Sequence, residues 1–501
     1  MKFQTKKGRI SMTKRITALV MLLIMVLSLA ACNNATSTES GTTQTPGGEI
    51  NNTEQLEVPD KKYDGADFIV ISAGQVAYDD FSFGEDSELP VDQAQYRRKS
   101  TVQEQFDIAI DIIIDENKSG VGNGSGYKRI SQSVDAQDTD YNMALIGGMD
   151  VTTLAYSDYL LPLSRATYIN LNKSWWDQDA NKDLKVMGEM FFTQGDISAA
   201  KYEATYVIYY NKELGREKEI ENPYDLVKNN KWTIDKLTEF CLKVSADLDG
   251  NQVRDMEDMY GLYVWDDSIL GMISAAGHKV ATINSNGEFE LSIYNEDVLS
   301  VIDKFGKIAY NTECAVMYQR YANAGNVVEH WTNDQALFWA NSTLNLAKMR
   351  EMESDFGILP FPKLTEEQDR YYSTMATYNS QFLCLPRLQE DIDYSSTIIE
   401  ALAYYGREYV RPVVYEKTIT GTYFRDDESA DMLDLIFQSY IYDIGQLHRI
   451  GDLNNGILNM FRTKANNFTS IYEGKLSVAE QQIQVVNESY RKIINDWAAE
   501  Q

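Results

Sequence analysis

The chain has 501 residues, of which 46 are Lys or Arg and 75 are Asp or Glu, giving a formal net charge of −29. So acidic a chain lacks the basic surface that nucleic acid or anionic lipid headgroups need, which excludes both as extended partners. Hydrophobic residues at 44 % and charged residues at 24 % are ordinary for a globular protein, and the length suffices for one large core or about two to three smaller ones. The histidines His278, His330 and His448 lie far apart, which argues against a multi-histidine metal site or a histidine triad. Cys32, Cys241, Cys314 and Cys384 form no CxxC pair.

In chain order, residues 1–31 carry the three parts of a secretory signal. Lys2, Lys6, Lys7, Arg9, Lys14 and Arg15 make a basic start with no acid among them. Residues 16–29 are apolar but fall short of the roughly 20 needed to span a bilayer. Met12 also makes a normal signal start. The segment ends in Leu29-Ala30-Ala31-Cys32, which resembles a bacterial lipobox. Cys32 is then the acylated first residue of the mature chain; the alternative is a plain cleavage site with a chance cysteine. Removing the signal leaves 40 basic against 75 acidic residues. Residues 33–58 are Ser, Thr, Asn and Gly-rich with almost no large apolar side chain, too little to offset chain entropy. We expect a disordered tether whose about 25 residues span roughly 25–30 Å.

The body opens with a strand at 67–72, a helix at 91–105, a β-branched strand at 106–114, a helix at 127–136 and a strand at 141–146 that ends on Gly147-Gly148. Strands alternating with helices predict a parallel sheet with crossover helices. Ligands of such sheets sit beyond the carboxyl ends of the strands, here residues 72–78 and 147–152. Further strands are expected at 205–210, 336–339, 356–359 and 380–385. Thr233 is an N-cap for a helix with apolar positions Leu237, Phe240, Cys241, Val244 and Leu248. Ser477 to Glu480 reads as a capping box that starts a final helix striped by Ile483, Val486, Tyr490, Ile493 and Trp497.

Asp247, Asp249, Asn251, Asp255 and Asp258 place oxygen side chains at positions 1, 3, 5, 9 and 12 of a twelve-residue calcium loop, with the Val253 carbonyl at position 7. Two features depart from that pattern: Gln252 stands where the turn prefers Gly, and Asp258 where Glu reaches further. The competing reading is a solvated Asx-rich turn. Aromatic residues form 11 % of the chain and include 32 Tyr. Sugar rings present C–H faces that stack on aromatic planes, so Trp175-Trp176, Trp339 and Tyr378 are candidates for carbohydrate contact, against a core role for each. The pairs Asp79-Asp80, Asp266-Asp267 and Asp426-Asp427 read as solvated faces; no GxSxG, HExxH or P-loop occurs. Cys241, Cys314 and Cys384 read as buried thiols.

Taken together, these parts resemble bacterial extracellular solute-binding proteins of the maltose-binding type. The resemblance rests on the order of several weak motifs. They are Met187 to Asp196 followed by Tyr206-Val207-Ile208-Tyr209-Tyr210-Asn211-Lys212; Asn222-Pro223-Tyr224 through Trp232 to Leu237; the Asp247 loop followed by Tyr260-Gly261-Leu262; and Trp331 to Phe361. It implies a two-lobed α/β fold, each lobe a mainly parallel sheet flanked by helices, with the ligand in the cleft between them. The lobes would be 60–203 with 379–418 and 204–378 with 419–501, hinged by crossings near 204, 378 and 418. It also implies a non-enzymatic, lipid-anchored, monomeric receptor on the outer face of the cell membrane. Such a receptor passes a carbohydrate, most often an oligosaccharide, to the permease of an ABC importer. Carried onto this sequence, the ligand contacts are Gln75, Gly148, Met149, Asp196, Trp339 and Tyr378, and the Asp247 loop would hold a structural Ca2+. Two rivals remain: a secreted glycoside hydrolase and a sensory receptor paired with a histidine kinase.

Overall fold

The three apolar runs of the N-terminal body become strands β1 (Ala66–Gly74), β2 (Ile108–Glu116) and β3 (Met143–Gly147). In this computed structural model, which describes residues 54–117, 122–321, 326–349, 352–419 and 427–500, β1 pairs parallel with both β2 and β3. The crossover helices are Pro90–Phe106, which has its proline in the first turn and a left-handed Asp107 as stop, and Ser125–Asp135. All three strands and both helices match the expected positions to within a few residues. The signal segment, Cys32 and the tether up to residue 53 lie outside the described residues. The end of the expected tether is pinned: Glu54 accepts from Ser174 and Arg407, and Glu57 from Lys173.

After β4 (Phe192–Thr193) the chain builds a second sheet from β5 (Tyr206–Asn211), β6 (Tyr260–Val264), β9 (Ala315–Met317), β10 (Ala336–Ser342) and β11 (Phe356–Leu359), with a separate hairpin of β7 (Ala281–Ile283) and β8 (Phe289–Leu291). It then returns to the first sheet as β12 (Gln381–Cys384), which runs antiparallel between β3 and β4. The strand orders are β2-β1-β3-β12-β4 and β11-β5-β10-β6-β9. Each sheet therefore joins parallel pairs to an antiparallel strand. In the second, β6 lies parallel to β9 and β10 while β5 opposes β10 and β11.

Two connecting segments lie side by side where the chain passes between sheets. The Tyr206 amide donates to Thr374 O at 3.1 Å and the Ala376 amide to Ala204 O at 2.7 Å. A third segment joins them through Ser373, whose amide donates to Ser439 O and whose carbonyl accepts from Ile441. The expected crossing near 418 borders residues outside the described set.

Two helix boundaries differ from expectation. Thr233 does cap its helix, accepting from the Lys236 amide, but the helix ends at Lys243 and leaves Leu248 half exposed on the loop beyond. Ser477 to Glu480 starts nothing: the final helix runs Phe468–Ala499 straight through it. A capping box inside a helix is simply two helix-compatible side chains, because the upstream turns already pair the amides that a cap would serve. Among the described residues no helix is long and apolar enough to cross a membrane.

Candidate ligand-binding site

β1 and β3 end side by side on glycines. A Cβ on Gly74 would stand 3.1 Å from the Gly147 Cα, so only bare backbone fits where the strands converge. Beyond that point, Gly148 begins the helix Gly148–Tyr156. A Cβ on Gly148 would meet Ser380 Oγ at 2.4 Å and Leu447 Cδ2 at 2.6 Å. These close approaches leave a recess lined by Gln75, Asn117, Gly148, Met149, Thr377 and Tyr378. Its volume is about 20 Å³, enough for roughly one water. Four of the six expected contacts, Gln75, Gly148, Met149 and Tyr378, thus come together.

Asp150 follows in the first turn of that helix and is buried. It accepts the Gly124 amide at 3.0 Å and the Tyr127 amide at 3.3 Å. Burial raises its pKa, and those amides counter the rise. Its carboxylate ties the start of one helix to the start of another and so holds the recess floor. The Gly148 amide is itself satisfied by Ser380 O at 3.2 Å.

Met149 also lines a groove of about 460 Å³ between this helix and the C-terminal segment 447–455. Thr152 Oγ1 bridges the two walls, donating to Met149 O or Leu447 O, each 3.0 Å away. The Tyr378 hydroxyl reaches towards Asn455 Oδ1 at 3.5 Å. Asp266, Asp267, Arg449 and Arg462 all act electrostatically on that hydroxyl, so the second sheet also contributes here. Asp266 pairs with Arg462, and Asp267 is pushed up to about 7 by burial and by its acidic neighbour. Trp265, which precedes them beyond the end of β6, is 37 % exposed and lies 5.0 Å from the Tyr318 ring.

The other two expected contacts lie elsewhere. Asp196 is buried, accepts the Tyr202 hydroxyl at 2.8 Å and lies 3.5 Å from Arg411. Burial raises its pKa and Arg411 opposes the rise. Trp339 is fully buried in β10 among Tyr209, Trp331 and Tyr318. Neither lines the recess or the groove. Trp175 and Trp176 are likewise core residues, with both indoles donating to Glu400.

In the Asp247 loop, the carboxylates of Asp247, Asp249 and Asp258 converge within 4.8 Å of one another. Gln252 takes φ 64°, the left-handed conformation for which a glycine was expected, and Gly250 takes φ 73°. Asp247 accepts the Gly250 and Gln252 amides, which lowers its pKa. Asp258 is buried and accepts the Leu248 and Asp255 amides, with Arg254 at 3.5 Å. Three carboxylates thus face one another in the loop, with Arg254 beside Asp258. Cys241, Cys314 and Cys384 are buried free thiols.

No family model matches the chain, and no curated protein matches it. Solved structures do. An ABC substrate-binding protein from Listeria monocytogenes, in complex with cycloalternan, superposes with TM-score 0.52 at 10 % identity over 83 % of this chain and 99 % of that one. A sugar transporter protein from Rhizobium etli in an open conformation gives TM-score 0.54 at 12 % identity, covering 85 % and 99 %. The galacto-N-biose/lacto-N-biose I-binding protein of the ABC transporter from Bifidobacterium longum, bound to lacto-N-biose, gives TM-score 0.54 at 8 % identity, covering 85 % and 98 %.

The chain has the two-lobed fold of the ABC sugar-binding proteins. Within that fold, the strand-end rule that found Gln75 and Gly148 on the first sheet would have found Trp265 to Asp267 on the second. Tyr156, Arg449 and Asn455 carry no such signal, because only tertiary packing brings the C-terminal segment to the Gly148 helix.

Proposed function

We propose that this protein is an extracellular carbohydrate-binding receptor that delivers its ligand to an ABC importer, and that it is a binding protein with no catalytic role. The observation that carries the reading is the junction at Met149 of a recess and a polar groove, at the carboxyl ends of β1 and β3 and against the C-terminal segment. Supporting it is the fold shared with proteins solved in complex with cycloalternan and lacto-N-biose. The site mixes amides and hydroxyls (Gln75, Asn117, Thr377, Tyr378) with the apolar Met149, the combination that sugar hydroxyls and C–H faces need. Ligand binding would draw the lobes together by hinge motion, and the permease would recognise the closed form.

The same reading makes Cys32 the lipid anchor, holding the receptor to the outer membrane face as a monomer. It makes the Asp247 loop a structural calcium site held by Asp247, Asp249 and Asp258, with Asn251, Asp255 and the Val253 carbonyl completing the set. The ion would supply charge neutralisation for three crowded carboxylates. Isothermal titration of the mature protein against a panel of glycans, peptides and polyamines tests the main claim. Micromolar binding of a glycan is the expected outcome, and binding of a peptide or polyamine with no glycan bound would overturn it.

A further inference from the structure

The hairpin of β7 and β8 belongs to neither main sheet. In sequence it lies between β6 and β9, both strands of the second sheet. Two strands of three residues each make only a marginal hairpin on their own, so what the hairpin packs against holds its shape. Those supports come from the first sheet's part of the chain and from the C-terminal segment.

At the tip, the Met187 amide donates to Gly287 O at 2.8 Å. Met187 lies between β3 and β4 of the first sheet. Gly287 takes φ 79°, and a Cβ there would stand 2.6 Å from the Met187 Cα, so both the turn and the contact require glycine. At the base, Lys279 Nζ lies 2.7 Å from Asp183, with the two side chains only 14 % and 11 % exposed. Asp183 closes the helix Gln178–Asp183, which is tied to the first sheet by the Asp177 amide on Gln194 O, just past β4. The same carboxylate accepts the Tyr442 amide at 2.9 Å, and the Val280 amide donates to Asp443 Oδ2 at 2.7 Å. Between tip and base, the buried Phe289 ring stacks 6.1 Å from Tyr490 of the final helix, which lies 5.4 Å from Phe191 beside β4. None of these residues lines the recess or the groove.

We propose that the β7–β8 hairpin is a strap that ties the second lobe to the first, away from the ligand site, and limits the swing of the hinge. A hinge motion of more than an ångström or two at this point must either break the Met187–Gly287 and Lys279–Asp183 contacts or carry the hairpin along and bend its stems. In both cases the strap adds to the free-energy difference between lobe arrangements. A ligand shifts that difference only by its own preference for one arrangement, so the strap sets affinity without touching the ligand.

The test uses the ligand-free mature chain in a Cys32→Ser background. Spin labels on Asp111→Cys in β2 and Glu217→Cys in the helix Lys212–Glu217, both exposed positions, report the distance between lobes by pulsed electron resonance; Cys241, Cys314 and Cys384 are buried and stay unlabelled. The unaltered strap should give one narrow distance distribution. The charge-neutral pair Lys279→Met with Asp183→Asn, and separately Gly287→Ala, should broaden it roughly twofold or add a second distance. Lys307→Met, which removes an exposed ion pair with Asp303 inside a single helix, should leave it unchanged. The Met187 amide should also exchange with solvent deuterium roughly tenfold faster in Gly287→Ala, with the Leu262 amide of β6 unaffected. Thermal melts confirm that each variant folds; if Gly287→Ala does not, the charge-neutral pair decides alone. Superimposable distance distributions in folded strap variants and in the unaltered chain overturn the strap. No ligand enters the measurement, so that outcome leaves the carbohydrate reading standing.

Discussion

Glu400 takes two indole N–H groups on one carboxylate, Trp175 at 3.0 Å and Trp176 at 2.9 Å, and is almost fully buried. Burial pushes its pKa up to about 7, against the counter-pull of the indoles and the Asn170 amide. The folded state therefore prefers the protonated acid. The stability this group contributes is complete below the ordinary carboxylate value of 4.5 and is lost as pH rises through about 7. Thermal melts of wild type and Glu400→Gln across that window should diverge, with the wild type falling more steeply and its tryptophan emission changing over the same interval. A variant with the wild-type slope would show that Glu400 does not titrate there. His448, buried between Ile444 O and the Tyr490 hydroxyl, acts with the opposite sign: burial lowers it to about 4, so its contribution is lost as pH falls from its ordinary 6.5. At Gly148 the constraint is steric. Gly148→Ala forces a methyl onto Ser380 and Leu447 and should cost about 1–3 kcal/mol in denaturant unfolding, together with a loss of ligand affinity.

Among the elements, the Asp247 loop shows how local geometry tolerates an imperfect motif. Gln252 adopts the positive φ that glycine would have taken more cheaply, so the departure at that position adds backbone strain without unwinding the loop. Chelated protein should melt at a lower temperature than protein with millimolar calcium, because an ion bound only by the folded state stabilises it by mass action. Asp249→Ala should abolish that difference, and identical melts in chelator and calcium would dismiss the ion. The helix before the loop ends at Lys243, earlier than its apolar spacing suggests, because Ala246 and Met259 pair as a β-bridge and draw the chain out of the helix.

For the whole molecule, connecting segments join the two sheets, and an ion pair beside them contacts the segment around Tyr440 and Tyr442. Lys201 pairs with Asp177, lies 4.5 Å over the Tyr440 ring, and shares Asp177 with the Tyr442 hydroxyl at 2.8 Å. Asp177 is 8 % exposed. Lys201→Met leaves that carboxylate buried without its cation and should destabilise the fold by about 3–5 kcal/mol, while adding Asp177→Asn should recover a large part of the loss. If the single and double variants unfold at the same denaturant concentration, the pair is not the interaction that matters.

By itself the sequence determined β1, β2, β3, β5, β10, β11 and β12, the crossover helices and the strand ends beside the recess, but not β4, β6 or β9. These follow from local apolar runs, turn glycines and the geometry of parallel sheets, all of which act over tens of residues. Through the family resemblance it also marked Gln75, Gly148, Met149 and Tyr378, the first three after strand ends and Tyr378 at the second crossing. Tertiary structure alone decided the rest. Asp196 and Trp339 are polar and aromatic in ways that suit a ligand, but packing against Tyr202, Arg411 and the β10 aromatics turned them inward. The groove is made by Asn123 and Tyr156 facing Arg449 and Asn455. No spacing rule connects residues some three hundred positions apart, and only the docking of the C-terminal segment on the Gly148 helix puts them across one cavity.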